Sequence, residues 1–411
     1  MSNDISKNEN TVRFFVTGDN HFCRTYDKSP LKQVSTELEE YRFDSLQAMV
    51  DEANRQDCDF FIVTGDLFDR TKNIPTDAIK RIVRILGSFN KMVFVIPGNH
   101  DYYDKYSVSM SVWKTFLDQA ADNVVVLREF RTVPAGNVGN NKVVFYPAFC
   151  DQYQARYMEN NLGWIKKSKI NEENTINIGI AHGTLEDLSA DDKREYFYMT
   201  RDELASIPMD AWFLGHAHVP EPKVLSEDEF SEGHRIFNPG TNQQLDIRDQ
   251  GGYGFIVEVE KNGKDSVIRA KKWRSSKIEF HEFDIDVVAD SDHALKDEIS
   301  KKLSGFDQDR RSRSVIRMDI KGSVEASEYE AKDDIYDEET KGFMFAYQPV
   351  WDKLFEEVTK EKIDEFNSEG FAYQFLNSIA GNDPDKNVKL NLAYQMIRQI
   401  QNEQSSSRGK K

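Results

Sequence analysis

Five short apolar segments of this sequence end in aspartate, asparagine or histidine, residue types whose side chains bind divalent metals or transfer protons. In chain order these residues are Asp19, His21, Asp66, Asn99, His100, His182, His216 and His218. Taken alone, Gly98-Asn99-His100-Asp101 is equally consistent with a simple turn, because Asn, Gly and Asp are common turn residues. A lone Asp19-x-His21 is more often a turn, whereas His216-Ala217-His218 is a stronger signal. Five such endings in one chain favour a shared chemical role.

The donor types of this set predict a two-metal site. Carboxylate, carboxamide and imidazole groups without thiolate suit manganese, iron or zinc. Seven candidate ligands, the set without His100, are too many for one tetrahedral ion and suit two ions with a shared bridge. Asp66, alone at its strand end, is the predicted bridging residue. Two ions about 3.5–4 Å apart can stabilise both the attacking and the leaving oxygen of a phosphate ester.

The elements that must position these residues form an alternating pattern through residues 12–260. We predict strands at 12–17, 60–64, 92–97, 176–181 and 211–214, with amphipathic helices at 42–55, 79–86, 108–121 and 151–169. This alternation is typical of an α/β fold with a sheet covered by helices on both faces. Ligands in such folds bind beyond the carboxyl ends of the strands, where the polar residues occur.

The pattern changes after about residue 265. The remaining predicted elements are strands at 267–273, 278–285 and 315–320 and helices at 292–303, 350–366 and 388–400. Between residues 323 and 340 there are eight acidic residues and a single lysine, Lys332, which predicts a linker or exposed loop. The helices beyond it either pack on their own domain or dock a partner.

Composition restricts the other functional classes. The formal charge of −17 argues against broad electrostatic binding of nucleic acid. Two locally basic runs, 261–277 and 310–317, are consistent either with phosphate contacts or with solvated strands and hairpins. We expect a cytoplasmic protein with no membrane association, because the three cysteines lack paired spacing and neither a signal peptide nor a membrane-spanning run is apparent.

The order of the motifs D-x-H, GD-x-x-D, GNHD, H-G and GH-x-H resembles the calcineurin-like metallophosphoesterase superfamily over about residues 12–260. The resemblance implies a four-layer β-sandwich flanked by helices and two metal ions. One ion would be held by Asp19, His21, Asp66 and His218, and the other by Asp66, Asn99, His182 and His216. His100 would be the unliganded catalytic residue, and Asp101 would either orient it or cap the turn.

Within the superfamily, Gly65-Asp66-Leu67-Phe68-Asp69 and the run before His100 are similar to SbcD-type nuclease subunits of DNA double-strand-break repair. This similarity implies a Mn²⁺-dependent exonuclease or endonuclease, with Fe²⁺ or Zn²⁺ as other metals. It also implies a homodimer that works with an SMC-like coiled-coil ATPase of the SbcC type. The implied organisation is a disordered start (1–11), a nuclease domain (12–262), a capping domain (263–322), an acidic linker (323–344), a helical partner-docking region (345–403) and a flexible tail (404–411).

Two other functions remain open from the residues alone. A small-substrate phosphodiesterase or phosphatase of the cyclic-nucleotide class has the same metal ligands, although it would not need the 150 or so residues after Lys261. A non-enzymatic scaffold with an incidental site is disfavoured, because every ligand position of the motif set is occupied.

Overall fold

Two β-sheets pack face to face in the first of the two units of the chain, Met1–Ile278 and Glu279–Lys411. The computed structural model describes residues 10–153, 159–188, 193–379 and 384–408. The strands of the first unit are β1 Thr11–Thr17, β2 Phe60–Val63, β3 Met92–Val95, β4 Val124–Val126, β5 Val133–Val138, β6 Asn141–Ala148, β7 Thr175–His182, β8 Ala211–Gly215, β9 Ser231–Glu232, β10 Ile236–Phe237, β11 Tyr253–Asn262 and β12 Asp265–Arg274. Its helices are α1 Ser35–Arg55, α2 Thr76–Gly87, α3 Val112–Gln119, α4 Gly163–Lys166 and α5 Arg201–Ala205.

The two sheets differ in size but share a parallel core. The larger has the order β4-β3-β2-β1-β11-β12-β9 and the smaller β10-β8-β7-β6-β5. Strands β1 to β4 are mutually parallel, as are β6, β7, β8 and β10. Because parallel strands end at the same edge, the polar residues that follow β1, β2 and β3 meet at one edge, and those that follow β7 and β8 meet at another.

Apolar side chains make the first unit a four-layer structure. Phe14, Phe60 and Phe145 belong to the core between the sheets, where their rings contact one another. A second core packs α1, α2 and α3 on the outer face of the larger sheet, and a third packs α4 and α5 on the smaller one. The predicted α/β sandwich with flanking helices is therefore confirmed.

The second unit contains a parallel sheet with helices. Its elements are β13 Glu279–Val287, α6 Ala294–Leu303, α7 Gln308–Ser312, β14 Ser314–Val324, α8 Ala326–Glu330, α9 Lys332–Glu339, β15 Phe345–Ala346, β16 Leu354–Glu356, α10 Lys360–Asp364, α11 Phe371–Ile379 and α12 Pro384–Arg408. Strand β14 pairs in parallel with β13, β15 and β16. Three short 3-10 helices complete the described structure: Pro30–Val34, Val108–Met110 and Trp351–Lys353.

The predicted acidic linker is instead helical. Residues 323–344 include α8 and α9, and Tyr336 is fully buried in the core of the second unit. The carboxylate of Glu328 accepts hydrogen bonds from the backbone amides of Leu295 and Lys296 at the start of α6. Residues 323–344 are therefore part of a folded domain. The prediction of a linker, which rested on the density of acidic residues, was wrong.

Other predicted domain and helix boundaries also differ from those in the structure. The predicted boundary at residues 262–263 falls inside the turn of the β11–β12 hairpin, so β12, expected in the capping domain, belongs to the larger sheet of the first unit. The helix predicted at 350–366 is interrupted by β16, where consecutive Leu354 and Phe355 are both buried. The helix predicted at 151–169 is reduced to α4 within the described residues, and residues 154–158 of that prediction lie outside them.

Candidate metal centre

The loops after β1, β2 and β8 adopt backbone conformations that direct their polar side chains into one cluster. Asp19, His21 and Asp66 have φ values of 47°, 47° and 49°, and His216 has a φ of 106°. Positive φ is uncommon for residues other than glycine and typically occurs where function requires it. Adjacent close approaches need glycine: a Cβ on Gly98 would lie 2.2 Å from Oδ1 of Asp66.

One half of the cluster joins the ends of β1 and β2 to the loop after β8. Nε2 of His21 lies 3.1 Å from Nε2 of His218 and 3.6 Å from Oδ2 of Asp66. The carboxylate of Asp19 accepts hydrogen bonds from the amide of His216 at 2.9 and 3.0 Å, one to each oxygen. Asp19, His21 and His218 each present a ligand atom within 4.8 Å of the others.

The other half centres on the amide oxygen of Asn99. This Oδ1 lies 2.9 Å from Nε2 of His182 and 2.8 Å from Nδ1 of His216. The same Nε2 of His182 is 3.5 Å from Oδ2 of Asp66, so Asp66 is near both halves. The opposite ring nitrogen, Nδ1 of His182, faces the carbonyl oxygen of Thr64 at 2.9 Å, which fixes the ring and directs Nε2 into the cluster.

The donor set fits two divalent cations. The amide oxygen of Asn99 lies within hydrogen-bond distance of imidazole nitrogens of His182 and His216, and His21 and His218 direct two ring nitrogens at each other. With His182 deprotonated, these nitrogens and the amide oxygen, together with the buried carboxylates of Asp19 and Asp66, form a donor set suited to binding positive charge. All seven residues predicted as ligands take part.

The electrostatics of the cluster indicate which group carries a proton before a cation binds. Burial opposes protonation of His182, but the charges of Asp66 and Asp19 outweigh it and raise the pKa of His182 to about 9. Burial also disfavours ionisation of Asp66, yet His182 lowers the pKa of Asp66 below its usual value. Burial lowers the pKa of His21 to about 4 and that of His216 to about 3. Of these three histidines, His182 is thus charged at neutral pH and His21 and His216 are neutral.

His100 differs from the other histidines of the cluster because it is exposed. Its backbone amide donates to Oδ1 of Asp66 at 2.8 Å, and Nδ1 lies 3.1 Å from the carbonyl oxygen of Asp69. It lines an open pocket of about 430 Å³ together with Asp69, Arg70, Tyr102, Asp151 and Tyr196, among others. His100 can therefore contact a substrate in this pocket.

Asp101 caps the turn and does not contact the ring of His100 through any described hydrogen bond. Its carboxylate accepts from the backbone amides of Gly98 at 2.6 Å and Phe68 at 3.0 Å. Burial, together with the nearby charge of Asp66, raises the pKa of Asp101 to about 7. The contact that orients His100 comes instead from the backbone of Asp69.

Three residues near the cluster were given no role by the sequence. Asp69 places Oδ1 3.3 Å from Nδ1 of His21, and its position in the GD-x-x-D motif was the available signal. Tyr196 stacks on His216 with ring centroids 5.4 Å apart and is 49% exposed. The buried carboxylate of Asp249 accepts a hydrogen bond from the hydroxyl of Thr241 at 3.1 Å. Thr241 forms a β-bridge with Gly18, the residue before Asp19. No local motif distinguishes Tyr196 or Asp249.

Comparison with known proteins identifies the class. The sequence profile described as "Calcineurin-like phosphoesterase" matches residues 12–220, and the chain belongs to this family. The uncharacterized metallophosphoesterase YhaO of Bacillus subtilis (strain 168) is 27% identical over 237 residues, 55% of this chain and 51% of that protein. The chain thus spans about half the length of this curated relative.

Two solved structures share similarity with part of this chain. GAP50, the anchor in the inner membrane complex of Plasmodium, is 12% identical with a TM-score of 0.38, covering 65% of this chain and 85% of its own. A dimetal phosphatase from Danio rerio is 10% identical with a TM-score of 0.36, covering 62% and 98%. Similarity at this level carries no information about the substrate.

Family membership and the converging donors identify the cluster as a candidate metal centre of a calcineurin-like phosphoesterase. The predicted superfamily is thereby confirmed, whereas the SbcD-type subtype stays a prediction. Among the described residues, no helix is both long and apolar enough to cross a membrane.

Proposed function

We propose that this hydrolase cleaves phosphodiester bonds in DNA, as an SbcD-like nuclease that uses Mn²⁺. The observation that carries the proposal is the position of Tyr196. Its half-exposed ring stacks on His216 and lines the same pocket as His100. An aromatic face beside the phosphoester centre offers a stacking surface for a nucleobase, whose π-face every nucleotide presents.

The residues of the centre have separate proposed roles in metal binding and proton transfer. Asp19, His21, Asp66 and His218 would hold one ion, and Asp66, Asn99, His182 and His216 the other. When bound, the ions supply positive charge for the phosphate oxygens and activation of the attacking water. His100 donates Nδ1–H to the carbonyl of Asp69, which leaves Nε2 for the substrate. In its doubly protonated form, the ring would give the Nε2 proton to the leaving oxygen and return to the neutral state.

Ion pairs use part of the positive charge of each basic run. In the first, Lys261, Arg269 and Arg274 pair with acids at 2.7, 3.3 and 3.4 Å. In the second, Arg310, Arg313 and Arg317 pair with acids at 2.8, 3.4 and 3.6 Å. The proposal therefore assigns recognition of DNA to the pocket and its surroundings, with positive surface for a longer duplex supplied by a partner.

The proposed partner is an SMC-like coiled-coil ATPase of the SbcC type, bound by a homodimer of this chain. Apolar side chains on the second unit support a docking surface. Leu392, Met396 and Ile400 recur every four residues along α12 and are 45%, 64% and 52% exposed. On α11, Phe371 is 77% exposed and stacks on Phe375. An exposed stripe with helical spacing is suited to packing against another helix.

Substitution of Tyr196 tests the substrate. Tyr196→Ala should lower kcat/KM for a single-stranded oligonucleotide by roughly tenfold or more, because one stacked base is lost. Tyr196→Phe should retain the wild-type value, since the stacking face remains. If Tyr196→Ala has the wild-type kcat/KM for the oligonucleotide, the ring of Tyr196 has no role in substrate binding.

Substitution of the α12 stripe tests the partner independently. Leu392, Met396 and Ile400 changed together to serine should abolish co-purification with the ATPase while hydrolysis of bis-p-nitrophenyl phosphate persists. Exposed Val267, changed to serine, is the matched control. Undiminished association of the triple variant would exclude this stripe as the docking surface.

A small-substrate phosphodiesterase of the cyclic-nucleotide class is the second candidate. The pocket volume of about 430 Å³ favours it, because that is the size of a small-molecule site. Hydrolysis of cyclic nucleotides without any cleavage of DNA would establish this alternative.

A further inference from the structure

Exposed apolar side chains of the first unit concentrate near the pocket. Seven large ones are more than a third exposed among the described residues of this unit: Tyr106, Met110, Phe130, Tyr153, Tyr196, Val224 and Val267. Four of the seven lie close to the pocket: Tyr196 lines it, Tyr106 and Tyr153 follow the lining residues Tyr102 and Asp151 within four positions, and Phe130 stacks on Phe149 next to Cys150. Apolar exposure this localised indicates a binding surface.

Specific contacts join three loops into a rim on the side of the pocket formed by Tyr102, Cys150 and Asp151. The amide of Tyr103 donates to the carbonyl of Cys150 at 3.0 Å, and Tyr103 forms a β-bridge with Asp151. Phe130 stacks on Phe149, the residue before Cys150, with ring centroids 4.4 Å apart. These contacts attach the rim directly to residues that line the pocket.

Two cations lie among the aromatic rings of this rim. The guanidinium of Arg128 is 5.7 Å from the ring centroid of Tyr103 and donates to its hydroxyl at 3.4 Å. The ammonium of Lys105 is 5.0 Å from the ring centroid of Tyr106, which is 74% exposed. Aromatic faces interspersed with cations are the arrangement that binds single-stranded nucleic acid.

We infer that this aromatic rim, consisting of Tyr103, Lys105, Tyr106, Arg128, Phe130 and Tyr153, binds the unpaired bases of a DNA strand next to the phosphodiester in the pocket. The inference rests on the proposed function and specifies its substrate: DNA with a single-stranded segment at the site of cleavage. Bases of an intact duplex are stacked on each other and cannot use the rings. A chain with a net charge of −17 also gains little from tracking a duplex backbone.

The test compares two double variants with the wild-type chain. Tyr106→Ala with Tyr153→Ala removes two rings that are 74% and 64% exposed, and Tyr106→Phe with Tyr153→Phe retains them. Val267→Ala, on β12, is the matched control for loss of an exposed apolar side chain. The measurements are Kd by fluorescence anisotropy and Mn²⁺-dependent cleavage, each with a fluorescein-labelled oligothymidylate and with a blunt duplex.

The alanine pair should weaken oligothymidylate binding roughly tenfold or more, whereas the phenylalanine pair and the control should match the wild type. Duplex binding and hydrolysis of bis-p-nitrophenyl phosphate should not change. Equal affinities of the alanine pair and the wild type for oligothymidylate would overturn the inference. A changed oligomeric state in sedimentation velocity with unchanged oligothymidylate affinity would overturn it too, and would assign the rim to a second copy of the chain.

Failure of the rim and failure of the nuclease proposal give different results. If the wild-type chain cleaves DNA and the double alanine variant binds and cleaves it equally well, only the inference about the rim is overturned. Binding of oligothymidylate through the rim without cleavage overturns only the nuclease activity. Absence of both binding and cleavage by the wild-type chain overturns both.

Discussion

The ring of His100 and the backbone of Asp69 are joined by a 3.1 Å contact between Nδ1 and the carbonyl oxygen. A carbonyl oxygen accepts but cannot donate, so the proton of this contact resides on Nδ1 of His100. The remaining nitrogen, Nε2, is therefore the one that faces the substrate. The ring of His100 also lies 4.7 Å from that of His21, centroid to centroid, and a ligand atom of His100 is within 4.8 Å of those of His21 and Asp69.

His100→Ala should reduce turnover of a phosphodiester by about 10²–10⁴-fold, the usual contribution of a positioned proton donor. Metal content, measured by inductively coupled plasma mass spectrometry after gel filtration, should remain at two ions per chain. His216→Ala is the comparison, since it removes a predicted ligand and should lower both activity and metal content. Loss of metal from the His100 variant would instead identify this residue as a ligand.

Metal binding at neutral pH should release a proton from His182. The pKa of His182 is raised to about 9, so the ring is protonated at pH 7 and its Nε2 has no lone pair for a cation. Apparent affinity for Mn²⁺ should therefore rise with pH by up to tenfold per unit below about pH 9, and then level off. Isothermal titration calorimetry in buffers of different ionisation enthalpy measures the released proton directly; a heat of binding independent of the buffer would contradict the assignment.

Gly98→Ala should disable the centre although it alters no ligand. The added Cβ would lie 2.2 Å from Oδ1 and 2.3 Å from the backbone nitrogen of Asp66, so the loop has to shift. We expect activity to fall by at least tenfold, together with reduced metal content. Gly163→Ala is the control, because a Cβ there meets nothing within 4 Å. Wild-type activity of the Gly98 variant would show that this close approach is not required.

Much of this centre follows from the sequence, because each ligand sits directly after an apolar strand and parallel strands end together. Asp19, Asp66 and Asn99 were found in this way. Tyr196 was not, since its loop has no regular pattern and its position beside His216 depends on tertiary packing alone. The orientation of His100 by Asp69 is likewise a backbone contact, which side-chain types do not encode.

In the second unit, the sequence-based boundaries are less reliable for a similar reason. Eight acids between residues 323 and 340 predicted a linker, but the helix that contains Tyr336 packs that ring in the core. Likewise Leu354 and Phe355 are consistent with a helical face, whereas the structure pairs them with β14. Local composition does not show which short apolar segment pairs with a strand elsewhere in the chain.

The burial of Tyr336 gives a test of this correction. Tyr336→Ala should destabilise the second unit by about 3–5 kcal/mol, the usual cost of removing a large buried aromatic side chain. Tyr329→Ala, at a partly buried position on α8, should cost less. Chemical denaturation followed by circular dichroism measures both. Equal and negligible effects would support the linker that the acidic composition predicts.

The most direct test of the account is Mn²⁺-dependent release of acid-soluble nucleotides from linear DNA by the purified chain, measured beside His100→Ala. The account predicts release by the wild-type chain and release that is slower by about 10²–10⁴-fold in the variant, with two metal ions bound to each. Hydrolysis of cyclic nucleotides or of bis-p-nitrophenyl phosphate by the wild-type chain, without cleavage of DNA even when its ATPase partner is added, would contradict it.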